Sequence, residues 1–251
     1  MVRKELTPRM SIPQDTKKVS FGLPNYWRMF RKRGIRLPIR YFLDNHLFDL
    51  VHGTDTHVWM PKDRYEPGLG NLEQGTFYMS SWTSEIRRVF STVRTLADRF
   101  EDYSFLDIGC GKGKVVLVWE QLLRQAGLRQ PVAGIDYYQP LLDIAEANHR
   151  RLFDDAGRFI RADATQVDYS AFGDKLIVYI FNPFGEVLMR QVLGRLKGVD
   201  VYLVYNNPAY PAAVTDSGFD AVAEWHGFHP NCQTVIYRRK PLKDRTEQGT
   251  Q

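Results

Sequence analysis

Residues 105–113, Phe105-Leu106-Asp107-Ile108-Gly109-Cys110-Gly111-Lys112-Gly113, decide how this chain is read. An apolar run from Ser104 to Ile108 predicts a buried strand. It stops at three glycines spaced two apart, and VVLVWEQLLRQA then reads as a helix. Glycine has no Cβ, so such a turn bends tightly and lets a ligand lie against the backbone. The start of the following helix offers N–H groups with no partner in the helix. In open α/β sheets, ligands occupy the crevice beyond the carboxyl ends of the strands.

Downstream, strands and helices alternate. PVAGIDY is a second strand, LLDIAEANHRRLF a helix, RFIRAD a third strand and KLIVYIFNPF a fourth. EVLMRQVLGRL is a helix and DVYLVYNNP a fifth strand. FDAVAEWHGF and CQTVIYRR read as a closing antiparallel hairpin. The alternation predicts an α/β fold: a doubly wound, mostly parallel, seven-stranded sheet with helices on both faces. Upstream, Trp82, Ile86, Val89, Val93 and Leu96 recur at helical spacing, predicting a helix from about Ser81 to Asp98. Tyr26 to Leu50 is aromatic and basic, suited to short amphipathic helices broken near Gly34 and Pro38. Residues 52–76 are rich in Gly and Pro and too long for an ordinary connection.

The chain has 251 residues, 43% of them hydrophobic, which excludes a wholly disordered protein. No stretch reaches the roughly 20 apolar residues a spanning helix needs. Two cysteines, Cys110 and Cys232, make no disulfide framework, and the N-terminus lacks the apolar core of a secretory signal, so cytoplasm is the expected location. Between Val2 and Arg40, eleven bases face two acids, whereas the whole chain carries only +5. Such an arm suits nucleic acid, an anionic membrane surface or an acidic protein. The expected organisation is a flexible basic arm over 1–22, an extension or lid over 23–78, the main domain over 79–240 and a disordered tail over 241–251.

Two acids complete the glycine turn. Asp136 closes the second strand, 25 residues beyond Gly111, near the roughly 20 expected for an acid that binds a ribose. Asp163 follows the third strand, framed by Ala162 and Ala164, and Tyr137 adjoins Asp136. The spacing G-x-G-x-G, with an acid two residues ahead, departs from the dinucleotide pattern G-x-G-x-x-G. Over residues 80–238 the order and pattern resemble the class I S-adenosylmethionine-dependent methyltransferases, a Rossmann-like superfamily. The resemblance implies that Asp107, Gly109, Cys110, Gly111 and Gly113 border the cofactor. It further implies that Asp136 takes the ribose hydroxyls, that Asp163 takes the adenine amine, and that Ala164 and Tyr137 flank the ring. Lys112 and Lys114, unusual beside a sulfonium, are expected to point outward. No metal is implied.

The acceptor side is read from Phe181-Asn182-Pro183-Phe184-Gly185. It resembles the N/D-P-P-Y/F motif of amino-methylating enzymes, without the second proline. Asn182 then borders both cofactor and acceptor, and the Pro183 carbonyl and the Phe184 ring hold a target nitrogen. Equally, Asn182 and Pro183 suit a helix cap and first turn. Upstream, Thr54, Asp55, Thr56 and Tyr78 are lid candidates, with Asp55 or His57 as proton acceptor. A lid tyrosine ahead of the glycine turn loosely resembles the non-SET protein lysine methyltransferases. The expected activity is methyl transfer to nitrogen, a protein side-chain amine first. A small molecule, RNA or DNA as acceptor, and a silent binding subunit, are the alternatives. Asn206 and Asn207 read mainly as turn formers, and His52, His57, His226 and His229 as loop residues without zinc spacing.

Overall fold

The computed structural model describes residues 23–58, 60, 78–228 and 232–239. The expectations for the arm 1–22, for most of the segment 52–76, for His229 and for the tail 241–251 lie outside the described residues.

Seven strands form one sheet in the order β3-β2-β1-β4-β5-β7-β6. They are β1 (Ser104–Ile108), β2 (Val132–Asp136), β3 (Phe159–Arg161), β4 (Lys175–Phe181), β5 (Asp200–Asn206), β6 (Asp220–Trp225) and β7 (Thr234–Arg239). The chain winds outward from β1 to β3, then returns to lay β4 parallel against β1. That reversal leaves a crevice at the carboxyl ends of β1 and β4, the place where such sheets bind ligands. The expected C-terminal hairpin is present with one refinement: β7 inserts between β5 and β6 and pairs antiparallel with both.

Helices cover both faces. Strands β1, β4 and β5 are almost continuously apolar because they are buried on two sides. One face carries Leu106, Ile108, Val178, Ile180 and Leu203 under α7 (Glu186–Arg195) and α8 (Pro211–Asp216). The other carries Phe105, Ile177, Tyr179 and Val204 under α4 (Thr83–Leu96) and α5 (Lys114–Gln125). Trp119 of α5 stacks on Phe105 at 3.9 Å between centroids. In α4, Ile86, Val89, Phe90 and Val93 form the apolar stripe that meets this face. α6 (Gln139–Phe153) follows β2 and runs beside β3.

The extension is helical: α1 (Leu23–Arg33), α2 (Arg36–Tyr41), a wider π turn over Phe42–His46, and α3 (Leu47–His52). Gly34, with φ +71, does break the first helix from the second. Pro38 does not break α2, contrary to expectation. It lies in the first turn, where a proline's missing N–H has no helical acceptor to lose. Among the described residues no helix is long and apolar enough to cross a membrane.

Candidate cofactor and acceptor site

The turn after β1 is built from left-handed glycines. Gly109, Gly111 and Gly113 have φ of +77, +52 and +81, conformations other residues adopt with strain. Each also sits against a neighbour. A Cβ on Gly109 would meet Pro183 at 2.9 Å, and one on Gly111 would meet the Tyr78 ring at 2.2 Å. On Gly113 it would meet Ala145 and Phe159 at 3.0 Å. The Cys110 side chain packs against Gly134, while its N–H donates to the Ile135 carbonyl.

Two buried carboxylates stand at the strand ends. Asp136 accepts the Gly111 N–H at 2.9 Å and the Tyr138 N–H at 3.0 Å, so it shapes the turn as well as facing it. Asp107 is buried one strand away and accepts no side-chain hydrogen bond among the described residues. Burial first, and then the Asp136 charge, push the Asp107 carboxyl well above the usual range. Burial also raises Asp136, against the backbone N–H groups that lower it. Two desolvated acids side by side gain most from a ligand that brings a cation and hydroxyl donors.

Other expected residues are placed unequally. Asp163 uses Oδ1 to accept the Thr165 N–H and hydroxyl, a local turn beyond β3. Ala164 is buried in the core, with its carbonyl accepting the Tyr169 hydroxyl. Tyr137, Tyr138, Tyr78 and Met60 pack together beside the glycine turn. Asn182 follows β4 with φ +43, and its Oδ1 accepts the Tyr205 hydroxyl at 3.2 Å. Pro183 abuts Gly109, so the β4 loop and the glycine turn meet across the crevice. The helix-cap reading of Asn182 and Pro183 fails, because α7 starts at Glu186 with Gly185 at its cap. Phe184 packs, partly buried, against the α7 and α8 core. Asn206 and Asn207 shape their turn through Thr234 and the Gln233 carbonyl.

Lys112 and Lys114 point inward, overturning the expectation. Both reach from the glycine turn to the extension that crosses it. Lys112 is buried and pairs with Asp55 at 3.0 Å. Lys114 is buried and donates to the Asp44 carbonyl at 2.7 Å and to Asn45 Oδ1 at 3.2 Å. The π turn presents those two acceptors, and burial pushes the Lys114 amine down to about 7. Asn148 of α6 adds a third tie, exchanging hydrogen bonds with the Asp55 backbone and the Lys112 carbonyl. Asp55 is thus found in a latch, its carboxylate committed to Lys112.

A second network organises the loop after α3. Buried Asp49 accepts hydrogen bonds from Thr54, from the N–H and hydroxyl of Thr56, and from the His57 N–H and Nδ1. Burial favours the neutral acid, yet these donors together hold its carboxyl down at about 2. The Thr56 carbonyl then accepts the Tyr78 hydroxyl at 2.7 Å, which fixes the ring over Gly111. A ligand that reaches the Gly111 backbone must displace that ring. The sequence held no signal for Asn148, whose partners lie 36 and 93 residues away, nor for Asp49, whose role comes from a loop that folds back on it.

Gly111→Ala tests the contact. The positive φ costs an alanine about 1–2 kcal/mol, and the methyl must also push Tyr78 away. We expect the free energy of unfolding in urea to fall by about 3 kcal/mol in the wild-type background and by only 1–2 kcal/mol beside Tyr78→Ala. Equal losses in both backgrounds would show that the ring does not rest there.

No protein-family model matches the sequence, and no curated protein matches it. Solved structures of low identity are similar. A magnesium protoporphyrin IX methyltransferase from Synechocystis is 12% identical over 81% of this chain and 96% of its own, with a TM-score of 0.46. A protein described as an adenine-specific DNA methylase from Listeria monocytogenes is 16% identical over 61% of this chain, with a TM-score of 0.43. The match spans 50% of that protein's length. A SAM-dependent methyltransferase from Aquifex aeolicus is 15% identical over 63% of this chain and 99% of its own, with a TM-score of 0.44. Fold likeness at this distance fixes no reaction.

Proposed function

We propose that the protein is an S-adenosylmethionine-dependent methyltransferase acting on a nitrogen acceptor, with a protein side-chain amine favoured. The observation that carries the reading is the pair Asp107 and Asp136, buried at adjacent strand ends beside three left-handed glycines. The cofactor fits that pair of acceptors: its ribose offers two hydroxyls and its methionyl end an ammonium. When bound it supplies a methyl group on a sulfonium, which an amine lone pair takes by direct displacement.

In this reading the chain's own residues position and exclude. Asp136 holds the ribose hydroxyls and Asp107 the ammonium. Asp163 and Ala164, with Tyr137, border the adenine. Asn182 and the Pro183 carbonyl orient the amine; Tyr205 steadies Asn182 from behind. Tyr78, once displaced from Gly111 by the bound cofactor, and Phe184 enclose the acceptor. Asp55 latches the lid to Lys112, and the released proton passes to solvent. Positioning of this kind supplies much of the acceleration, so few groups need to do acid–base work.

Titration with S-adenosylmethionine and S-adenosylhomocysteine tests the cofactor, and folded protein that binds neither would overturn the proposal. Methyl-labelled cofactor with lysine peptides and small amines then tests the acceptor. We expect Asn182→Ala to lower transfer by roughly 10–100-fold, the worth of one charge-assisted hydrogen bond, with cofactor affinity nearly unchanged. Asn182→Gly relieves the backbone conformation and should be equally slow. Recovery in the glycine variant would make the defect one of backbone shape rather than amine orientation.

A further inference from the structure

We infer that the helices α1 to α3 form a docking face for an anionic lipid bilayer. Along α1, Leu23, Trp27 and Phe30 recur at four and three residues, one stripe of the helix. All three are exposed, Leu23 by 86% and Trp27 by 61%, and the Trp27 and Phe30 rings lie 5.5 Å apart. Met29, one residue away, turns inward against Trp82 and Leu37. Among the described residues, the stripe is therefore the face that the core leaves uncovered. At about 100° per residue, Arg31 and Arg33 fall on its two flanks. Ile35 and Ile39 beside and within α2, and Leu50 and Val51 of α3, are exposed as well.

The charge on this unit has one sign. Arg28, Arg31, Lys32, Arg33, Arg36 and Arg40 are all exposed, while Asp44 and Asp49, the acids between Leu23 and Gly53, are both buried. A groove of about 430 Å³ beside α3 has Arg40, Arg87, Leu43 and Val51 in its wall, and Asp44 and Thr83 as well. Cations flanking apolar and aromatic side chains match a headgroup layer over the start of the acyl chains, where tryptophan concentrates. Phosphates of a nucleic acid would use the cations and leave the apolar stripe in water. With no helix here able to span, the face lies on the surface.

Sedimentation of the full-length protein with vesicles tests this. We expect binding to equimolar phosphatidylcholine and phosphatidylglycerol, weakening as salt rises, and little binding to phosphatidylcholine alone. Arg31→Gln with Arg33→Gln should weaken it by about five-fold per arginine. Trp27→Ser with Phe30→Ser should weaken it by about ten-fold or more, since two buried rings are lost. These side chains are exposed, so both variants should keep the wild-type melting temperature. Failure to bind anionic vesicles would overturn the inference, as would full binding by the Trp27 and Phe30 variant. Binding to duplex DNA or single-stranded RNA without vesicle binding would assign the face to nucleic acid instead.

Discussion

Replacing Lys114 with methionine is expected to remove a stability gain of about 3 kcal/mol that the wild-type protein acquires between pH 7 and pH 9.5. The buried amine titrates near 7 in the folded protein and near 10.5 in the open chain, and burial is the main cause. Between those values the unfolded chain holds one proton more than the folded one. Stability therefore climbs as pH rises through this window, approaching 1.4 kcal/mol per pH unit at its steepest. Below pH 7 both states carry the proton and Lys114 adds no pH dependence. Methionine keeps the length and volume and has nothing to titrate. Urea unfolding of both proteins across the window reads the effect as a difference, in which the shared tyrosines and carboxylates cancel. Parallel curves would mean that the amine stays hydrated and is not desolvated by its burial as described.

Lys114 also shows where the sequence stopped being legible. A lysine after a glycine turn reads as outward, because most lysines are solvated and a helix start repels a cation. The inward direction is set by acceptors some seventy residues earlier, which a π turn offers to α5. The strands could be read because each carries its own local pattern: apolar runs for β1, β4 and β5, and a regular alternation of helix and strand. The glycines and Asp136 could be read for the same reason, since turn chemistry and strand ends are local. The lid could not. Tyr78 meets Gly111, Asp55 meets Lys112 and Asn148 meets Asp55, and none of these pairs has a spacing that helix or strand geometry produces. Pro38 was misread in the opposite way, by applying a local rule for helix interiors to a first turn.

Asp136→Ala is expected to lower affinity for S-adenosylmethionine by at least about 100-fold, from the loss of two hydrogen bonds to a charged acceptor at roughly 1.5–3 kcal/mol each. Part of the injury is internal. The carboxylate accepts the Gly111 and Tyr138 N–H groups, and alanine leaves both without their acceptor, so stability should fall by about 2 kcal/mol as well. Ligand fragments separate the two effects. Adenosine carries the ribose and should lose the same factor as the whole cofactor. Asp107→Asn, which changes the neighbouring acid, should spare adenosine and weaken S-adenosylmethionine, since only the larger ligand brings an ammonium. A general collapse of the turn would weaken both ligands in both variants. Unchanged cofactor affinity in a folded Asp136→Ala protein would place the ribose elsewhere. Asp136 would then be a structural acid that braces the glycine turn and nothing more.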